Sequence, residues 1–194
     1  MASQKRETAW VSFATRDAVA QHDHAMLVYD SDRELVSALG RFLHEGRVSQ
    51  EVTTFVHSYA SDQDARSAVS ALVADAELAE AVPDFLLAHY APAFERGGRI
   101  DHIHAAQVVA ALSNEARALG RAGTRIFVDA SKDYIDTPRE SEWIAFESWL
   151  GPHLQLNTTL ICTYAGSQLE DPDVLAPQIA TNASRLESRL IPAR

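Results

Sequence analysis

Two His-x-His pairs, His22/His24 and His102/His104, a single cysteine, Cys162, and an apolar strand ending in Asp129 are the residues whose types and spacing invite chemistry. Alternate residues on a strand face the same way, so His22 and His24 could share a ligand. His102 and His104 fall at a helix start, where that spacing turns the rings about 200° apart. Neither pair has a cysteine or carboxylate at zinc-site spacing, so no metal is expected. Cys162 lies in the apolar run Leu160-Ile161-Cys162-Thr163-Tyr164, where a buried thiol behaves as a small hydrophobe rather than a nucleophile. Arg125-Ile-Phe-Val-Asp129 has the form of the magnesium-positioning strand of P-loop ATPases. No Gly-x-x-x-x-Gly-Lys-Ser/Thr loop accompanies it, so Asp129 reads as a helix or turn cap, with Lys132 able to pair with it or with an anion. Gly-x-Ser-x-Gly, His-Glu-x-x-His and Gly-x-Gly-x-x-Gly are absent, and no catalytic residues, metal or cofactor are assigned.

The elements that position these residues alternate along the chain. Apolar runs at Ala25–Tyr29, Val52–His57, Phe85–His89, Arg125–Asp129 and Thr158–Tyr164 read as strands. Helix starts are marked by Ser31 with Glu34, Ser61 with Asp64, and Thr137-Pro138 with Glu140. Asp101–Leu119 reads as an amphipathic helix burying Ile103, Ala106, Val109, Ala110, Leu112 and Ala116, and ending at Gly120. Near-continuous apolar strands separated by helices imply an α/β three-layer sandwich around a mostly parallel sheet of five to six strands. Residues 1–21 form an N-terminal extension, residues 22–194 a single domain, and Ala91–Gly98 a mobile loop. In such sheets ligands bind beyond the carboxyl ends of the strands. That edge collects Tyr29-Asp30, His57-Ser58-Tyr59, His89-Tyr90, Asp129 to Lys132, and Tyr164, a set suited to a small, partly apolar molecule with one or two polar groups. The turn after the first strand, Tyr29-Asp30-Ser31-Asp32, has acidic groups where a phosphate cradle would need glycines.

A chain of 194 residues, 46% hydrophobic, can bury the core of one domain. Its formal charge of −10 argues against a phosphate-backbone surface, so direct nucleic-acid binding is not expected. The single cysteine excludes an internal disulfide framework. With no charged-then-apolar leader and no run of about twenty apolar residues, the expectation is a cytoplasmic protein without a membrane anchor.

His24-Ala-Met-Leu-Val-Tyr29-Asp30, the helix ending Phe42-Leu43-His44-Glu45-Gly46, Tyr90, Gly98–Asp101, Phe127–Tyr134, Phe146-Glu147 and Cys162-Thr163-Tyr164 occur in this order. In that order they resemble the MEDS family, the methanogen/methylotroph sensory domain. The resemblance implies a RecA/KaiC-like fold without a Walker A loop, used for sensing small hydrocarbon derivatives rather than for turnover. It places a family histidine at His24, a strand-end tyrosine at Tyr29, a helix glutamate at Glu147, and a late cysteine and tyrosine at Cys162 and Tyr164. The chain departs from the family at Asp129-Ala-Ser-Lys-Asp133, where Gly-Glu-Met-Ser-Trp is common, and at Ala165, where aspartate is common.

The ligand-binding set is therefore His24, Tyr29, Asp129, Glu147, Cys162 and Tyr164, with a histidine-tyrosine-glutamate group holding a polar end and Phe127, Trp143 or Trp149 enclosing the apolar part. The expected function is a stand-alone, non-enzymatic sensory domain for a small organic ligand. With no output module after Arg194, it would signal through a homodimer or through a partner such as a kinase or anti-sigma factor. The alternatives are a ligand-free regulatory scaffold and an unrecognised hydrolase or transferase. In a bland structural reading, His24 anchors the strand and Glu147 pairs with a surface arginine.

Overall fold

The computed structural model describes residues 23–73, 85–153 and 157–169; the N-terminal extension and His22 lie outside them. The chain begins with β1 (Asp23–Tyr29), α1 (Asp32–Val48), β2 (Val52–His57) and α2 (Asp62–Val73). It continues through β3 (Leu86–His89), a helical turn α3 (Tyr90–Phe94), the short strands β4 (Glu95–Arg96) and β5 (Arg99–Ile100), and α4 (His102–Ala118). β6 (Thr124–Asp129), α5 (Glu140–His153) and β7 (Thr158–Ala165) complete the described fold.

The cap residues start the helices where their chemistry places them. Ser31 Oγ accepts from the Glu34 backbone N–H, and the Glu34 carboxylate reaches back to the Asp30 N–H at 2.7 Å. This reciprocal cap, of a kind that contributes about 1 kcal/mol, occupies backbone donors at the head of α1 that a bound phosphate would otherwise use. Ser61 caps α2 through the Asp64 N–H, and Asp101 caps α4 through the His104 N–H. α4 ends at Gly120, whose φ of +66° favours glycine; the Arg121 N–H then returns to the Ala116 carbonyl.

The strands form a five-stranded sheet in the order β1-β7-β6-β2-β3, parallel throughout. On one face, Leu35, Leu39, Phe42 and Leu43 of α1 and Ala65 and Val69 of α2 pack against Phe55, Phe127 and Ile161 of the sheet. On the other face, Ala105 and Val109 of α4 and Trp143, Phe146 and Leu150 of α5 cover Val56, Ile126, Val128, Leu160 and Cys162. This is the three-layer α/β sandwich expected from apolar strands alternating with helices. The direction in which strands are added reverses between β2 and β6: α2 leads from β2 outward to β3, whereas α5 leads from β6 to β7 on the opposite face. The carboxyl ends of β2 and β6 therefore flank a topological switch point.

Three local expectations change. α4 turns Ala105, Val109, Ser113 and Ala116 inward and leaves Ile103 70% exposed, because the four inward positions follow the 3.6-residue period and Ile103 lies off that line. Residues 91–98, expected to be a mobile loop, form most of α3 and enter a hairpin; Ala93 and Phe94 are buried, and Gly97-Gly98 turns the hairpin with both φ values positive. Pro138 precedes α5 rather than occupying its first turn, because the helix begins at Glu140.

Gly123 meets the backbone of Asn157 so closely that an added Cβ would collide with its carbonyl, and that same carbonyl receives the Thr124 N–H at 2.9 Å. Neither side can withdraw without losing the hydrogen bond that starts β6. Gly123→Ala is expected to destabilise the fold by about 1–3 kcal/mol in chemical denaturation, with the urea slope unchanged.

Candidate functional site

The six candidate ligand residues divide between opposite faces of the sheet. Register puts His24 beside Leu160, and Cys162 and Tyr164 follow Leu160 at strand period two, so all three point toward α5. Tyr29 points instead into the α1 layer. Asp129, two residues after Phe127 on β6, shares that layer's side. The sheet thus separates Tyr29 from the His24 and Glu147 with which a single histidine-tyrosine-glutamate site would combine it.

On the α1 side, Asp129 is fully buried at the carboxyl end of β6. Its carboxylate accepts from Thr163 Oγ1 at 3.1 Å and Lys132 Nζ at 3.3 Å, and its charge acts on the Tyr29 hydroxyl. The turn at 131–133 has no side-chain cap, so Asp129 gathers side chains instead of capping that turn. Lys132 Nζ lies 5.1 Å from the centroid of the Tyr59 ring, within cation–π range. Beside Asp129 in register is His57, wholly buried, with Nε2 3.0 Å from Asp62 Oδ1. His57 Nδ1 and Ser58 Oγ are buried without hydrogen-bond partners. Such atoms are uncommon in folded proteins and cost free energy unless something else satisfies them.

On the α5 side, Glu147 descends from the helix onto β1 and β7. Its Oε2 lies 3.0 Å from His24 Nε2, with both side chains buried. The ligand atoms of His24, Glu147 and Cys162 all fall within 4.8 Å of one another. Tyr164 accepts a hydrogen bond from Trp143 Nε1 at 3.0 Å and borders the same carboxylate. Glu147 Oε1 is buried and no donor completes a hydrogen bond to it. His24 is therefore part of a buried pair, not merely a strand anchor, and Glu147 pairs with it instead of with a surface arginine. Of the aromatic residues proposed to enclose a ligand, Phe127 lies on the α1 side and Trp143 on the α5 side. Trp149 is half-buried and stacks with His153, its ring centroid 4.2 Å away.

The family profile described as MEDS, MEthanogen/methylotroph, DcmR Sensory domain, matches residues 23–177. This chain belongs to the MEDS family. A search of curated proteins finds no match. The match covers β1 through β7, so both clusters lie inside the MEDS region. Among the described residues, no helix is long and apolar enough to cross a membrane.

Electrostatics give the two clusters of this MEDS domain different characters. At the edge, burial raises the Tyr29 and Tyr59 hydroxyls above the ordinary tyrosine value and the Asp129 charge raises them further, so both remain neutral donors. In the interior, burial pushes the Cys162 thiol well above its usual range, and the Glu147 carboxylate adds to the rise. Burial also opposes the Glu147 charge, but His24, helped by Cys162 and Tyr164, holds this carboxyl below its ordinary value. Spacing arguments had no means of finding this cluster, because His24 lies more than a hundred residues before Glu147 and Cys162 and meets them only through strand order. His57, Tyr59 and Lys132 were legible as strand-end residues, but nothing in the sequence marked His57 as the one with an unsatisfied nitrogen.

Burial lowers His57 below its ordinary value of 6.5; Asp62 acts against that shift, His89 reinforces it and Asp129 again opposes it. Between the two values the unfolded chain binds the extra proton. The stability contributed by neutral His57 is therefore complete above about pH 6.5 and is lost as pH falls through the lower folded value. Chemical denaturation from about pH 8 down to pH 5 should show wild type losing stability, with a shallower loss in His57→Gln. Equal slopes would remove His57 from the pH response.

Proposed function

We propose that this MEDS domain is a sensor that recognises a small organic molecule at the carboxyl edge of its sheet and signals through protein contacts. The observation that carries this reading is the switch point itself, where buried Asp129 gathers Tyr29, Thr163 and Lys132 beside the unpartnered His57 Nδ1 and Ser58 Oγ. These last two atoms suit a hydroxyl or carbonyl group, and Tyr29 and Tyr59 offer ring surface to an apolar body. A nucleotide phosphate fits poorly. The head of α1 is already capped, and an added Cβ at Gly166 would strike the Asp30 carboxylate, so the turns after β1 and β7 lie closely together.

Sensing without turnover agrees with Cys162, whose buried thiol is held in its protonated, poorly nucleophilic form. The free, buried cysteine suits a reducing cytoplasm. The signal would pass to a kinase, an anti-sigma factor or a second copy of the chain, because binding can only redistribute states that differ in their affinity for the ligand.

A thermal-shift screen of wild type, Lys132→Met and Tyr59→Ala against small alcohols, halocarbons, nucleotides and tetrapyrroles tests the reading. A small organic compound should raise the wild-type Tm and raise each variant's by less than half as much. A shift retained in full by both variants would move the ligand away from this edge. Shifts confined to ATP with magnesium would overturn the reading, and no shift with any compound would favour a ligand-free scaffold.

A further inference from the structure

We propose that His24, Glu147 and Cys162 form a three-donor site for a divalent transition metal of borderline softness, with zinc as the representative ion. The site lies on the α5 face, across the sheet from the proposed ligand edge, and does not depend on that reading.

Three elements that meet only in the folded chain each contribute one donor: an imidazole nitrogen from β1, a carboxylate from α5 and a sulfur from β7. Imidazole, carboxylate and thiolate are the side-chain ligands zinc takes, and three protein donors with a fourth position left over is a recurrent zinc arrangement. The spacing is close to what the ion needs. Zinc–nitrogen and zinc–oxygen bonds of about 2.0–2.1 Å and zinc–sulfur bonds of about 2.3 Å put tetrahedral donors about 3.3–3.6 Å apart. Here His24 Nε2 and Glu147 Oε2 are 3.0 Å apart, and all three donor atoms lie within 4.8 Å. Side-chain adjustments of the order of 1 Å would close the shell.

Two further observations point to a cation rather than to a simple buried pair. Glu147 is 4% exposed, yet Oε1 lacks a hydrogen-bond partner, leaving acceptor capacity inside the cluster. The charges also balance. Zinc would form bonds to nitrogen, oxygen and sulfur while the thiol proton leaves to solvent, so one dication would meet one carboxylate and one thiolate with a neutral imidazole. A buried centre without net charge avoids most of the penalty that isolated ions suffer there. Such an ion would tie β1, at the edge of the described sheet, to both β7 and the helix covering it.

The test is metal loading of the full chain with zinc, and separately with cobalt as a spectroscopic stand-in, each added both to native protein and during refolding because the donors are buried. Wild type should take up one equivalent of zinc, gain in Tm, and with cobalt show a sulfur-to-metal charge-transfer band. Cys162→Ala, a small change expected to fold, should lose that band and weaken zinc binding at least a hundredfold; Glu147→Gln, checked for folding by circular dichroism, should weaken it at least tenfold. Failure of folded wild type to bind zinc under either protocol would overturn the proposal. Unchanged binding by Cys162→Ala, or a cobalt spectrum without a thiolate band, would do the same.

Discussion

Covering a parallel sheet on both faces removes water from every group that points away from it. Any polar side chain placed on those faces must find its partner within the protein. Most of this fold obeys that constraint plainly. Arg125, buried on β6, lies between Glu45 at 3.1 Å and Glu51, with its guanidinium over the Phe42 ring. Ser113 of α4 meets Thr158 of β7 at 2.9 Å where the opposite face closes. Ser131 donates to the Thr163 carbonyl and holds the turn after β6 against β7. Against this background, the few buried polar atoms left unsatisfied become informative, and several fall in the two clusters formed by the candidate residues.

The clusters lie on opposite faces but are not isolated from each other. From His57 the rings run through His89 at 5.8 Å and Tyr90 at 4.8 Å to Tyr134 at 5.5 Å, and on to Trp143 at 4.7 Å. Trp143 then hydrogen-bonds Tyr164, which borders Glu147. The path leaves the α2 side where β3 gives way to α3 and enters the α5 layer through Tyr134. Tyr134 is itself anchored by its hydroxyl on Glu95 at 2.7 Å, and Arg139 joins the same carboxylate. Rigid, interlocked rings of this kind provide physical continuity between an edge and an interior; coupling additionally requires an element with two states.

The turn after β1 shows how an α/β architecture can exist without its phosphate site. A phosphate cradle requires free backbone donors at a helix head and room for the ligand. Here Ser31 and Glu34 consume donors, Asp30 and Asp32 contribute negative charge, and Gly166 brings the turn after β7 against Asp30. Polar resources are concentrated instead at the carboxyl ends of β2 and β6 and between β1, β7 and α5.

Much of the local structure was legible from residue order. Strand cores, helix caps at Ser31 and Ser61, and the stop at Gly120 each follow from chemistry within a few residues, and apolar runs alternating with helices led directly to the layered sheet. Finer local choices did not follow. The exposed Ile103 and the folded 91–98 segment were decided by where α4 and the hairpin dock, which neighbouring residues do not encode. The candidate site divides in the same way. The residue types at the strand ends, and the resemblance that drew His24, Glu147, Cys162 and Tyr164 together, were available in the chain itself. Only the order β1-β7-β6-β2-β3 decided that Glu147 joins His24 and Cys162 while Tyr29 joins Asp129 across the sheet. A side chain's face is set by strand period and can be read locally, but its neighbours are set by which strands lie side by side, and that depends on the packing of the whole fold.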